Sequence, residues 1–226
     1  MALLHTLIAS AALMGAQADD TPITGRTEEV EIRYSRQDGQ NRWQADELGG
    51  TWSGMGSYRN LFGVSERRRT RADLTVTGGS FGEVPLEISC SGGESELRLA
   101  WITFDRQDLV YSCTFTRNGE ALDSRFELAL QRRGLMGLGR NERAGEFHHN
   151  GTTLTFETQR LSGVAFPSGR VPGYVIRHDG VDVGGMDYGV MQSRMYLPGE
   201  DDTLREPVTL AAIVLALFFD PANMPD

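Results

Sequence analysis

The feature that most constrains this chain is an apolar run near its carboxyl end, REPVTLAAIVLALFFDP. From Val208 to Phe219 every side chain except that of Thr209 is apolar. Pro207 suits the first helical position, where its missing N–H needs no partner, and Asp220-Pro221 is a helix stop. The pattern predicts a helix over about 207–219 with no polar face, so water must be excluded from it on every side.

The length of this helix decides where it can be hidden. About thirteen residues span about 20 Å at 1.5 Å per residue, whereas a bilayer core of about 30 Å needs around twenty residues. A helix without a polar face is also unlike an interfacial amphipathic helix. We therefore expect no transmembrane anchor and place the helix inside the protein.

The rest of the chain has the patterns of β-structure. Alternating apolar and polar residues in segments such as EEVEIRYS, RADLTVTG and SRFELALQ are typical of strands with one buried face. Asn118-Gly119, Asn150-Gly151 and Asp179-Gly180 favour tight hairpins, because both residues of each pair tolerate positive φ. The segment SELRLAWITFD is interpreted as one further strand, and 132–145 as a long loop. Short strands about ten residues apart predict a single all-β domain, 28–226.

The strands and the helix fit one architecture. A barrel of eight strands fills with its own side chains, whereas a wider barrel has room for another element. A helix with its side chains is about 10–12 Å across. We therefore predict a mainly β fold, a closed antiparallel barrel of about twelve strands enclosing the hydrophobic C-terminal α-helix. Such a barrel has no ligand cavity inside.

This combination resembles the superfamily that contains the tubby C-terminal domain, the phospholipid scramblases and the LURP-one-related proteins. The resemblance rests on GYVIRHDGVDVGGMDY, SRMYLP and REPVTLAAIVLALFFDP, which follow the order strand, short turn, strand, strand and hydrophobic helix. It implies a twelve-stranded barrel around a central helix over about 28–220. No catalytic motif comes with the resemblance, and no lipid-binding residue is carried over from it.

The amino-terminal sequence MALLHTLIASAALMGAQADD predicts a signal peptide over 1–18. An apolar run, Ala2–Met14, is followed by Ala16-Gln17-Ala18, whose small residues suit signal peptidase. The alternative is an apolar first helix of the fold. Residues 19–27 are polar, and we expect them to be flexible.

All basic side chains are arginines, which we attribute to the base composition of a GC-rich bacterium. The expected location is the periplasm or the cell exterior.

The chain contains two cysteines, Cys90 and Cys113. In an exported protein a single pair predicts a disulfide. The loop that it closes has about 24 residues, which corresponds to about 3 kcal/mol of stabilisation. The alternative, a redox or metal site, lacks CxxC spacing and further ligands.

The net charge of the chain limits the classes of molecule that it is expected to bind. The chain has 31 acidic and 22 basic residues, a net charge of −9, which argues against nucleic-acid binding. One basic cluster, ERRRTR, contains Arg67, Arg68, Arg69 and Arg71. It is either a patch for an anion or a lipid headgroup, or a solvated strand paired with neighbouring acids such as Glu66 and Asp73.

The sequence offers little support for catalysis or metal binding. His148 and His149 point to opposite faces of a strand, so they cannot readily share a metal, and we interpret both as surface hairpin residues. The residue types of a catalytic triad are present in Ser193, His178 and Asp187. No nucleophile-elbow motif surrounds the serine, so the sequence does not support a triad. We predict no catalytic residue, no metal and no cofactor.

The function that follows from these patterns is a non-enzymatic exported bacterial binding or scaffold module. We expect a monomer, with a lipid headgroup, another anion or an envelope protein as its partner. The alternative is a lipocalin-like carrier of a small apolar ligand, which would have about eight strands and its helix packed outside the barrel. A third hypothesis is an envelope hydrolase.

Overall fold

The structure is a computed structural model that describes residues 22–61, 65–94, 98–99, 102–103, 109–130, 143–162, 171–189 and 192–218. The predicted signal peptide and the Asp220-Pro221 stop lie outside these residues. Within these ranges the chain forms fourteen strands: β1 Glu28–Gln37, β2 Gln40–Ala45, β3 Leu48–Leu61, β4 Ser65–Val76, β5 Leu86–Glu94, β6 Arg98–Leu99, β7 Ile102–Thr103, β8 Leu109–Arg117, β9 Glu120–Leu130, β10 Arg143–His149, β11 Thr152–Thr158, β12 Gly173–His178, β13 Val181–Tyr188 and β14 Ser193–Leu197. The helix α1 covers Arg205–Leu217, and two 3₁₀ turns cover Ile23–Gly25 and Gly79–Phe81.

Twelve of the strands form a closed antiparallel barrel. Their order is β1-β14-β13-β12-β11-β10-β9-β8-β5-β4-β3-β2, so almost every strand pairs with its neighbour in sequence. The first and last strands close the wall in a register that places Glu28 opposite Leu197 and Ile32 opposite Ser193. The predicted mainly β barrel of about twelve strands is therefore confirmed.

The helix α1 lies within this wall. Val208 and all residues of 210–215 have no exposed surface, and they belong to one core cluster with inward side chains from the strands. Thr209, the mild exception in the apolar run, donates its hydroxyl to the carbonyl of Arg205. The helix begins two residues earlier than predicted, so Pro207 occupies its third position. That position still belongs to the first turn, where an N–H has no partner within the helix.

The two ends of α1 meet opposite ends of the barrel. Arg205 bonds Glu28, the first residue of β1. At the other end, Phe218 packs edge-to-face against Tyr111 of β8 and Tyr174 of β12. The end of the barrel at which α1 begins is called the helix mouth below. The connections at this end are the segments 46–47, 77–85, 118–119, 150–151, 179–180 and 198–204.

The three predicted tight hairpins are all present, and they lie at the helix mouth. In each one, both turn residues have positive φ: 53° and 78° at Asn118-Gly119, 48° and 82° at Asn150-Gly151, and 50° and 79° at Asp179-Gly180. Asp38-Gly39 has the same geometry at the opposite end, between β1 and β2. Local turn chemistry therefore sets the register of four hairpins in the wall.

The prediction of one strand for SELRLAWITFD was wrong. The described residues of this segment, Arg98–Leu99 and Ile102–Thr103, form two antiparallel strands of a separate sheet that is not part of the barrel, in which Leu99 pairs with Ile102. The rest of the segment lies outside the described residues. Two antiparallel strands that follow each other closely in sequence can share one run of alternating residue types. The segment contains no Asn-Gly or Asp-Gly pair, so its sequence pattern did not distinguish two strands from one.

The polar stretch 19–27 is described from residue 22 onward. Residues Ile23–Gly25 form a 3₁₀ turn that contacts β13, and the Ile23 side chain is buried. The Thr27 hydroxyl donates to the Ile23 carbonyl. A short polar segment can therefore still dock on the outer wall through one apolar side chain.

Glycine 184 allows the helix to approach the wall closely. A Cβ added to Gly184 would lie 2.4 Å from Cγ1 of Val208 and 2.7 Å from the carbonyl oxygen of Tyr196. We expect Gly184→Ala to lower the free energy of unfolding by about 2 kcal/mol, because added atoms in a packed core force neighbours apart. Urea unfolding measures the change.

The matched control for this substitution is Gly199→Ala. A Cβ at Gly199 would meet no atom within 4 Å, so this variant should unfold like the wild type. If the two variants are equally stable, the helix does not pack against β13 as described.

Candidate binding groove at the barrel mouth

The two cysteines form the predicted disulfide. Cys90 and Cys113 are opposite each other on β5 and β8, with 2.07 Å between the sulfur atoms. Both side chains face the core and are 1 % exposed. The disulfide therefore links β5 and β8, the two neighbouring wall strands that are separated in sequence by β6 and β7.

The arginine cluster belongs to strand β4, and the structure describes the side chain of one of its members. Arg71 is exposed and forms an ion pair with Asp73, with 3.0 Å between Nε and Oδ2. The hydrogen bond from Arg71, aided by one from Ser89, lowers the pKa of the Asp73 carboxyl. The solvated-strand interpretation thus fits Arg71. The side chains of Arg67, Arg68 and Arg69 lie outside the described residues, so the anion patch stays a prediction.

The interpretation of both hairpin histidines as surface residues was wrong for His149. His148 is partly exposed, but His149 points inward and is 5 % exposed. The His149 ring stacks on Phe147 and lies between Ser124, 2.7 Å from Nδ1, and Glu206, 3.1 Å from Nε2. Alternation along β10 placed the two histidines on opposite faces, but the inner face at this level is the barrel core. His149 therefore ties the start of α1 to β9 and β10.

The Ser–His–Asp set written from the sequence does not assemble. Ser193 accepts a hydrogen bond from the Tyr34 hydroxyl, whose pKa is raised by burial. Asp187 accepts the backbone N–H groups of two residues, 161 and 162. His178 has its Nδ1 3.1 Å from the carbonyl oxygen of Thr153. These separate partners fit structural roles for all three residues.

A groove of about 530 Å³ opens at the helix mouth. Its apolar lining comes from β1, β2, β3, β14 and the segment before β5, and consists of Val30, Ala45, Leu48, Phe81 and Leu197. Its acidic lining comes from the β2–β3 turn, the connection before α1 and the first turn of α1, and consists of Asp46, Glu47, Glu200, Asp202 and Glu206. An apolar floor with a charged rim is the form that many binding sites take.

A second groove of about 380 Å³ adjoins the first and shares Val30 and Asp46 with it. Besides the shared Asp46, its carboxylates are Glu28, Glu29 and Glu31 of β1. Within the described part of the chain, the Oε1 atom of Glu31 is fully buried and has no hydrogen-bond partner. The two grooves together are called the acidic groove below.

The acidic groove has a strong charge imbalance. Its lining contains eight carboxylates, five in the first part, with the shared Asp46 among them, and three more in the second, against two guanidinium groups, those of Arg33 and Arg205. Arg205 is already bonded to Glu28, with 2.6 Å between the atoms. The groove therefore presents a surplus of negative charge to any molecule that enters it.

Some of these carboxylates already have structural partners. Glu29 pairs with Arg194, Glu206 bonds His149, and Asp202 accepts the N–H of residue 204 before the helix. By contrast, no ion pair or hydrogen bond involves the side-chain carboxylates of Asp46, Glu47 or Glu200 anywhere in the described ranges; the one bond at Asp46, from the Gln44 side chain, is to its backbone carbonyl. These three are the rim acids available to a ligand.

The acids of the groove do not form a metal site among the residues that the structure describes, where no group of three potential ligands converges. Over the same residues, no helix has the length and hydropathy to cross a bilayer. The groove was not identified from the sequence. Its acids come from several separate segments that only closure of the barrel brings together.

Comparison with known proteins adds no assignment, since no family model, no curated protein and no solved structure matches this chain.

Proposed function

We propose that this protein is a non-enzymatic, exported bacterial binding module of the tubby-like type, which binds its partner at an end of the barrel. The observation that carries the proposal is the fully buried helix, because Val208 and 210–215 occupy the space that a carrier would give to its ligand. The disulfide supports export, since such bonds persist in oxidising compartments.

The carrier hypothesis is less well supported. A lipocalin-like protein holds its ligand inside a barrel of about eight strands and packs its helix outside. Here the wall has twelve strands and the helix is inside. The groove at the helix mouth is open and partly acidic, unlike an enclosed apolar cavity for a fatty acid.

Titration with a fluorescent fatty acid tests this proposal. We expect no saturable increase in probe fluorescence at one probe per protein, because the buried side chains of α1 fill the core of the described barrel where an acyl chain would have to lie. A lipocalin of known affinity serves as the positive control. Stoichiometric burial of the probe would contradict the proposal and favour the carrier.

An anionic partner remains a separate proposal, tied to the arginine cluster on β4. Arginine suits such a partner because its planar fork binds carboxylate and phosphate in bidentate fashion. The described end of the cluster, Arg71, is already paired with Asp73. The acidic groove, with its surplus of carboxylates, instead favours a cation at the helix mouth.

A further inference from the structure

We propose that the acidic groove binds an extended polypeptide segment of a partner protein that carries an arginine or lysine next to an apolar side chain. This inference rests on the proposed function and names the chemistry of the partner. The occupant must satisfy both halves of the lining, the apolar floor and the acidic rim.

The apolar floor of the groove favours a partner that carries an apolar side chain. Val30, Ala45, Phe81 and Leu197 are buried beneath the groove, at 7 % exposed or less. Leu48 is partly buried beside them. A leucine-sized side chain laid on this floor removes mainly its own apolar surface from water, together with what Leu48 still exposes, which favours binding in proportion to the area covered.

The acidic rim of the groove favours a partner that carries a positively charged side chain. Asp46 and Glu47 stand on the β2–β3 turn, and Glu200 stands across the groove on the connection to α1. These carboxylates lack partners within the described chain, so a cationic side chain entering between them gains attraction without breaking an existing ion pair.

Glu31 supplies an observation that is independent of the charge count. Its Oε1 has no exposed surface and no donor within the described residues. A buried polar atom without a partner costs free energy that a hydrogen-bond donor recovers. Glu31 itself is partly exposed, so a guanidinium, which has five donors in a fixed fork, can reach the exposed part of this carboxylate and a second carboxylate together, whereas Oε1 itself is out of its reach.

A polypeptide segment fits these requirements better than a lipid or a metal ion. An anionic headgroup would be repelled by the rim, and no set of three ligands for a metal exists among the described residues. An extended segment places successive side chains on opposite sides about 3.3 Å apart along the chain. It can therefore lay an apolar side chain on the floor while its neighbour reaches the rim.

The test uses fluorescence anisotropy with a fluorescein-labelled nonapeptide that alternates leucine and arginine. We expect saturable binding to the wild-type chain that weakens as the NaCl concentration rises. Two control peptides replace arginine by glutamate or leucine by serine. Each should bind at least about tenfold more weakly, because each satisfies one half of the lining only.

Matched protein variants locate the site. Glu47→Gln with Glu200→Gln removes two rim charges and should weaken binding of the leucine–arginine peptide about tenfold. Glu120→Gln with Asp179→Asn makes the same charge change at two exposed residues in or beside hairpin turns, outside the groove lining. This control pair should bind like the wild type. All four positions are exposed, so both variants should keep the fold.

The outcomes separate this inference from the proposed function. Absence of peptide binding, or equal binding by both variant pairs, overturns the inference. If the fatty-acid probe also stays unbound in the same preparation, the proposed function stands without it. If the probe is buried stoichiometrically, the proposed function fails as well.

Discussion

Replacing Ile213 by aspartate is expected to abolish the folded state. Ile213 lies in the middle of α1 and has no exposed surface. A carboxylate at this position would be enclosed by apolar side chains, and an unpaired buried charge costs more than the marginal stability of a domain, about 5–15 kcal/mol. Circular dichroism should show loss of the native spectrum.

Two comparisons make this prediction specific to the buried helix. Ile213→Val keeps the side chain apolar and should cost about 1 kcal/mol, the usual effect of deleting one buried methyl group. Val181→Asp places the same carboxylate on a residue of β13 that is 56 % exposed, where it should have little effect. If Ile213→Asp unfolds at the same urea concentration as Val181→Asp, the helix is not inside the barrel.

The sequence predicted the barrel because two of its signals were incompatible with any simpler fold. An apolar helix without a polar face required a complete enclosure, and the strand count supplied one. Asn118-Gly119 and its two counterparts then fixed hairpins locally, since their φ values need residues that tolerate the left-handed region. These signals are short-range, so they can be seen without the tertiary structure.

The features that the sequence did not predict depend on contacts between distant segments. His149 is buried only because Glu206 and Ser124 meet it across the barrel mouth. The acidic groove joins Asp46 to Glu200, which are separated by most of the chain. No local pattern marks such pairs, because the closure of β1 on β14 brings them together.

Removal of the disulfide is expected to cost about 3 kcal/mol. The bond joins residues 23 apart in sequence, and closing a loop of that size lowers the entropy of the unfolded chain by about this amount at 25 °C. The Cys90→Ala/Cys113→Ala variant should therefore unfold at a lower urea concentration than the oxidised wild type. The variant also loses two buried sulfur atoms, so reduced wild-type protein is the better comparison for the bond itself.

The location of the bond argues that its loss acts mainly on the unfolded chain. Cys90 and Cys113 are already paired in register by the β5–β8 ladder, which extends on both sides of them. The native wall therefore needs no rearrangement when the bond is broken, whereas the unfolded chain gains the freedom of the whole segment between the strands. Unfolding of the reduced protein within about 1 kcal/mol of the oxidised protein would contradict this account. A loss near 3 kcal/mol, from a total stability of about 5–15 kcal/mol, would instead favour folding in an oxidising compartment and so support the proposed export.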